Sequence, residues 1–437
     1  MKPAEINPQY NLFGIALERL CDPSHALVKL SKSIDWNAFS DRFGGLYCED
    51  NGRPGKPIRL MVGLHYLKAL YGESDEGLVQ KWVENPYWQY FCGETQFQHE
   101  FPIEPTSMNK WRKRVQSSGL EKLLEISIKT GLKTNTIKPE HVQKVNVDTT
   151  VQEKAIAFPT DAKLYHDCRK KLVKEAKEAG LELRQTYTKK SKTALFMQCR
   201  YRHLRQGKKA SRELRKIKTY FGRVLRDVER KTLNIARTKK LQDLLDLGHR
   251  LFKQERHDKQ KIYSLHAPEV ECIAKGKAHK KYEFGSKVSV VASSKGNFVL
   301  GVMALHGNPY DGHTLSAAID QATRMIPTNT NIKEAFVDLG YRGHKCSGIE
   351  VHVVGKGSKQ GIKPSLKRFM RRRAAIEPII GHMKNDGRDH RNHLLGKDGD
   401  RMHALMMGFG FNLRKILQRL SFYLFSDIYF LLRIRLN

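Results

Sequence analysis

Cysteine is scarce in this 437-residue chain and shows no pattern. The seven residues, Cys21, Cys48, Cys92, Cys168, Cys199, Cys272 and Cys346, are scattered, odd in number and never spaced C-x-x-C. That excludes a disulfide framework and a thiolate zinc site, and leads us to expect a reducing compartment. A long apolar run is also missing. The most apolar stretch, Leu420–Leu432, contains Asp427 and is flanked by Arg419 and Arg433. It is too short and too polar to cross roughly 30 Å of hydrocarbon. The opening residues, MKPAEINPQYNLFG, hold no apolar signal core. We therefore expect a soluble cytoplasmic protein with no membrane partner. No G-x-x-x-x-G-K-[ST] loop is present, so no nucleotide cofactor is expected. Acid is in short supply too: 45 Asp and Glu stand against 79 Lys and Arg, a formal charge of +34. Such a field attracts polyanions, and neutralising phosphates releases their condensed counterions. Nucleic acid is the expected partner, with a merely basic soluble protein as the alternative.

With 40% hydrophobic and 28% charged residues, the chain can bury a core, and its length suits two to four structural units. Residues 1–140 read as a helical, DNA-binding N-terminal domain. The run Lys56–Tyr71 places Ile58, Met61, Leu64, Leu67, Leu70 and Tyr71 close to one helical face. Gly72 ends it and Ser74 can cap DEGLVQKWVEN, the layout of a helix-turn-helix. A further helix is expected from Thr106 or Ser107, carrying Lys110, Arg112, Lys113 and Arg114. A plain helical bundle with a solvated basic face has the same periodicity.

Residues 141–165 begin a mixed α/β core with a strand at Val142–Thr149 that leads to Asp148. Residues 166–270 read as a basic helical insertion. The core resumes over 271–395. It has strands at Tyr282–Val291, Phe298–Leu305, Glu334–Asp338 and Glu350–Val354, a helix at Leu315–Met325 and a long basic helical stretch at Pro364–Asn385. Residues 396–437 form a C-terminal helical region whose helix Arg401–Leu420 keeps Met402, Leu405, Phe409, Leu413 and Ile416 on one side. The order strand, strand, strand, helix, strand, strand, helix is a mixed α/β layer with one large insertion.

Asp148 follows VNV and Asp338 follows AFV, so both stand at strand ends, where ligands and hard cations bind. Glu377 lies on a later basic segment, with Arg373 four residues before it and Lys384 seven after, all on one helical stripe. Three converging carboxylates would suit two Mg²⁺ ions and phosphodiester cleavage. By periodicity alone the same stripe fits a salt-bridged surface helix equally well. Pro378 further leaves open whether that helix is kinked or begins there. Asp311 reads as a loop or helix-capping residue. Asp161 either supports the site or caps a turn. His390 and His393 read as a surface or phosphate-facing loop.

Taken together, VNVDTTVQEKAIAFPTDAKLYH, GKAHKKYEFGSKVSVV, GNPYDGHTL, VDLGYRG and RRRAAIEPIIGHMKND resemble the DDE transposases of the insertion-sequence-five family. The resemblance runs from the N-terminal helical region through FNLRKIL. It implies an RNase H-like catalytic fold with Asp148, Asp338 and Glu377 as catalytic, metal-binding acids. Two Mg²⁺ ions per site are implied, with Mn²⁺ able to substitute. Arg373, Lys384, Tyr341, Arg342, Arg371 and Arg372 are the implied DNA contacts. The chain departs from the family pattern at Met370, where relatives carry Tyr, and at Leu339, where many carry Arg. The implied activity is cleavage at transposon ends followed by 3′-OH strand transfer. The implied partners are double-stranded DNA, both terminal inverted repeats and target, and a second copy of the chain in a homodimer. A nuclease of the same fold without strand transfer, and an inactive DNA-binding derivative, are the alternatives.

Overall fold

The computed structural model describes residues 14–48, 54–101, 103–233, 236–274, 280–355, 363–387 and 390–435, with side chains up to Ser421. Part of one quoted motif, 276–279, lies outside the described residues, as do residues 388–389 and the first thirteen residues. The chain forms two compact units: residues 1–152 with 287–437, and residues 153–286.

The first unit carries most of a mixed six-stranded sheet. Its strands are β1 (Lys144–Glu153), β2 (Glu271–Ala274), β3 (Tyr282–Ser293), β4 (Val299–Leu305), β5 (Glu334–Val337) and β6 (Glu350–Val353). The sheet order is β2-β3-β1-β5-β6, with β4 paired to β3. Strands β2 and β4 run antiparallel to β3, whereas β1, β5 and β6 run parallel to one another. The first strand starts later than expected because Pro139–Val142 closes a helical turn before it. Strand β1 is buried on both faces over Val145–Val147 and Thr150–Gln152, which befits a central strand flanked by helices.

Helix Ile58–Tyr71 does not show the one-sided face its spacing suggests. Eleven of its 14 residues are buried, because neighbouring helices, the C-terminal one among them, surround it. It ends as expected at Gly72, whose φ of 66° is open to glycine, and Ser74 Oγ accepts from Gly77 N at 2.9 Å. The following helix, Asp75–Glu84, turns Glu76, Gln80, Lys81 and Glu84 to solvent, so its outer face is not the cationic one a recognition helix would present. The cationic face lies on helix Pro105–Lys133, where Lys110, Lys113 and Arg114 are exposed. That helix is broken at Gln116, whose φ of 58° and ψ of −175° are not helical. Arg112 is not part of that face. It is buried, its Nη1 donates to Asp75 Oδ1 at 3.1 Å, and Nη2 takes the second oxygen. The C-terminal helix runs from Gly396 to Arg435, longer at both ends than its apolar pattern indicates. Among the described residues no helix is long and apolar enough to cross a membrane.

The second unit, residues 153–286, holds helices Asp161–Glu178, Thr188–His203, Gly207–Lys231 and Lys239–Lys253 around its own core. Tyr165, Cys168, Leu172, Phe221, Leu225, Val228 and Leu245 fill it. Charged residues populate the outer faces, so a long basic sequence still packs as amphipathic helices. Asp161 opens the first of these helices and lies 3.8 Å from Lys261.

Acid sensitivity is built into the N-terminal helices. His65 is wholly buried, with Nδ1 2.7 Å from the Met61 carbonyl and Nε2 3.4 Å from Arg112 Nη1. A carbonyl only accepts and a guanidinium only donates, so the ring must be neutral, with its proton on Nδ1. Burial and then the Arg112 charge push its pKa down from 6.5 to about 3. Asp75 is opposed by burial, but the hydrogen bond from Arg112 and the charge of Lys68 outweigh this and bring it to about 2. Both folded values are depressed. Stability from His65 is therefore complete above pH 6.5 and is lost as the pH falls towards 3, because the unfolded chain takes up a proton the folded ring refuses. Stability from Asp75 is lost below that, from 3.8 towards 2. Urea melts at stepped pH should lose up to ~1.4 kcal/mol per pH unit from His65 between those limits. His65→Gln should flatten that slope; an unchanged slope would remove His65 as its cause.

Candidate active site

The parallel register of β1 and β5 pairs Asn146 with Phe336. Continued two residues onward, it sets Asp148 opposite Asp338. Two like charges facing each other across neighbouring strands repel. The opposing charge comes from a separate segment. Arg373 Nη2 lies 2.8 Å from Asp148 Oδ2 and 3.4 Å from Asp338 Oδ2, while Nη1 lies 3.5 Å from Glu377 Oε1. One guanidinium thus gathers all three acids.

Each side chain has its own support. Asp148 Oδ1 accepts from Thr149 N at 2.7 Å. Asp338 caps a 3₁₀ turn, Leu339–Tyr341, by accepting from Gly340 N at 2.9 Å. Glu377 sits in the first turn of helix Ile376–Asn385, which a 3₁₀ turn at Arg373–Ala375 separates from helix Pro364–Arg372. The expected single helix is therefore two. Pro378 falls in the first turn of the second, where its missing N–H breaks no helical bond. Ile376, Ile379 and Met383 bury the inner face of that helix against Val288, Val290, Val302, Ala404 and Met407. Asn146 Nδ2 donates to the Arg372 carbonyl at 3.0 Å, and Arg372 Nε donates to the Ser294 carbonyl at 2.8 Å. These bonds fix the turn that presents Arg373.

A fourth acid belongs here. Asp311 opens helix Asp311–Met325, and its carboxylate is spent on side chains rather than on a cap. Its Oδ1 accepts from Lys287 Nζ and from Thr149 Oγ1, both at 3.1 Å. A Cβ placed on Gly340 would come within 3.0 Å of Asp338 Oδ1 and 3.3 Å of Asp311 Oδ2, so the 3₁₀ turn passes close over both acids. Asn146, Thr149, Lys287 and Asp311 were not legible as site residues. The quoted motifs contain them, but nothing local in those stretches says that they meet.

Of the six expected DNA contacts, Arg342 and Arg371 are exposed and Lys384 is half-buried in the last turn of its helix. Arg372 is held by Ser294 and Asn297, and Arg373 by the three acids. Tyr341 is fully buried. Burial, with the charges of Asp148, Asp311 and Asp338, drives its phenol pKa up, so the hydroxyl keeps its proton. Met370 is half-buried, Leu339 is exposed, and His390 and His393 are exposed in a loop.

A family model described as "Transposase DDE domain" matches residues 221–410, and one described as "Transposase domain (DUF772)" matches residues 15–114. This chain is a DDE transposase. The first match takes in Asp338 and Glu377 and begins after Asp148. The transposase is 50% identical over 195 residues to "Uncharacterized protein ORF8 in nfe locus" of Rhizobium meliloti, covering 44% of this chain and 94% of that protein. No solved structure matches it. It is an insertion-sequence enzyme, acts on DNA, and belongs to a family that implies a divalent metal.

The Lys287–Asp311 pair can be tested directly. Lys287→Met leaves a mostly buried carboxylate without its cation and should destabilise the transposase by about 1–3 kcal/mol in denaturant melts. Asp311→Asn in the same chain should recover part of that loss. Strictly additive effects would show that the pair is not coupled.

Proposed function

We propose that Asp148, Asp338 and Glu377 are the catalytic acids of this transposase. It would cut a phosphodiester at each end of its element and then join the freed 3′-OH to target DNA. The observation that carries the reading is the convergence of the three carboxylates on the Arg373 guanidinium. An RNase H-like core is supported by the sheet order, in which the mutually antiparallel strands β3 and β4 lie on one side of β1 and the parallel strands β5 and β6 on the other. The ordered sequence motifs support placement in the insertion-sequence-five branch.

The donor set fits hard divalent cations: carboxylate oxygens from two strand ends and one helix, gathered around a point that already carries positive charge. Bound there, two Mg²⁺ ions, or Mn²⁺ in their place, would supply Lewis-acid activation of the attacking and leaving oxygens. Asp148 and Asp338 are fixed by the sheet and the 3₁₀ turn. Glu377, 67% exposed, has room to adjust. Arg373, which contacts all three acids, would turn towards a DNA phosphate once bound cations neutralise them. The protonated Tyr341 beneath them adds no negative charge.

Two exchanges follow. Water attacks phosphorus at the transposon end, the P–O3′ bond breaks, and the 3′-oxygen leaves with a proton. That 3′-OH then attacks a target phosphorus, and the target's own 3′-oxygen leaves in turn. One phosphodiester replaces another, so no nucleotide is consumed. Arg342 and Arg371, both exposed, and Lys384 would meet phosphates. Lys110, Lys113 and Arg114 offer a cationic face in the N-terminal region for the terminal inverted repeats, and the basic unit 153–286 would cover or track DNA. Joining two ends calls for two copies of the chain.

Asp148→Asn, Asp338→Asn and Glu377→Gln should each lower end cleavage by on the order of 10²–10³-fold while end binding persists. The same variants should fail to join pre-cleaved ends. Retained cleavage in any of them would remove that residue from the site. Cleavage by the wild-type protein without joining of pre-cleaved ends would leave a nuclease in place of a transferase.

A further inference from the structure

Strand β5 carries a second set of acids at the end opposite Asp338, four residues and roughly 13 Å away along the strand. Here the parallel register pairs Glu334 with Glu350 and Phe336 with His352. Side chains alternate with a period of two, so Glu334, Glu350 and His352 share one face of the sheet. His352 Nε2 lies 3.3 Å from Glu334 Oε2 and 3.5 Å from Glu350 Oε1, and the three donor atoms lie within 4.8 Å of one another.

Two features set this cluster apart from ordinary surface acids. The His352 side chain is only 10% exposed, and its Nε2 is shielded from solvent with no hydrogen-bond partner. The carboxylates are close to it but out of line for a hydrogen bond. A buried polar nitrogen left in that state needs a reason. In addition, Glu334 and Glu350 oppose each other directly, as Asp148 and Asp338 do. Lys144, which pairs with Glu334 in the β1–β5 register, sits 2.6 Å from Oε1 and offsets one charge. Oε2 remains turned towards His352.

We infer that Glu334, Glu350 and His352 form a divalent-cation site, separate from the proposed catalytic acids, fitted to an ion that takes mixed nitrogen and oxygen ligands, such as Zn²⁺. Donors on a tetrahedron with bonds of about 2.1 Å lie about 3.4 Å apart, and both distances from His352 match that edge. One imidazole among three donors disfavours Mg²⁺, which prefers six oxygens. The ring is already held: His352 stacks on Phe336 at 4.8 Å and 23°, and Phe336 stacks on Phe369. Glu350 faces solvent, which leaves the fourth position for water. The ion would tie the edge strand β6 to β5, the strand that leads into Asp338.

The test uses the full chain, stripped with chelator and titrated with Co²⁺, whose four-coordinate complexes absorb in the visible. Wild type and Asp338→Asn should both bind one equivalent with those bands, and Zn²⁺ should displace it. His352→Gln and Glu350→Gln should lose the bands, with affinity falling on the order of 100-fold. Zn²⁺ should raise the Tm of wild type and Asp338→Asn but not of Glu350→Gln, whose 69% exposed side chain can change without disturbing the packing. The same bands in wild type and in Glu350→Gln, or none in wild type, would overturn the site.

Discussion

Parallel pairing of β1 with β5 brings Asp148 and Asp338 face to face, and the surrounding structure follows from managing that repulsion. A single guanidinium does so, and it must arrive from elsewhere in the chain. The two helices on either side of Arg373 meet at a 3₁₀ turn, and Glu377 follows four residues on, close to the same guanidinium. The break is held from the strand side by Asn146 and Arg372, and from the core side by Ile376, Ile379 and Met383. The acid cluster and the core packing therefore share one segment.

The same charge logic recurs along the sheet. Asp311 is balanced by Lys287, Glu334 by Lys144, and Glu350 faces an imidazole. A chain with a formal charge of +34 still concentrates acids at its sheet ends. The long-range field favours DNA, while the local pairs hold the carboxylates close together. In the N-terminal region the pattern inverts. Arg112, expected to meet solvent, is buried on Asp75 and forces His65 to stay neutral. Salt bridges there belong to folding, and the exposed cations beside them remain for a polyanion.

Much of this was legible residue by residue. Alternating valines lead to Asp148, an apolar run leads to Asp338, and Gly72 and Ser74 punctuate the N-terminal helices where their chemistry demands. Other residues misled for physical reasons. Ile58–Tyr71 looks one-sided by spacing but is enclosed, since periodicity reports which positions are apolar and not how many neighbours surround them. Asp311 reads as a cap because acids often open helices, whereas its carboxylate is taken by two side chains distant in sequence. A glycine turn and a basic run suggest exposure for Tyr341 and Arg372, whereas Tyr341 is buried and Arg372 is hydrogen-bonded to the Ser294 carbonyl.

By itself the sequence determined the elements, the cationic character and the family, because these depend on composition, on periods of two and 3.6, and on ordered local motifs. Tertiary structure alone decided which acids meet. Asp148, Asp338, Asp311 and Glu377 are separated by long stretches of chain, and no local rule says that strand register and a helix break will bring them to one place. Arg373 shows the difference most plainly. In the sequence it is a cation four residues from Glu377; in the fold it touches three acids, because Coulomb attraction depends on distance through space.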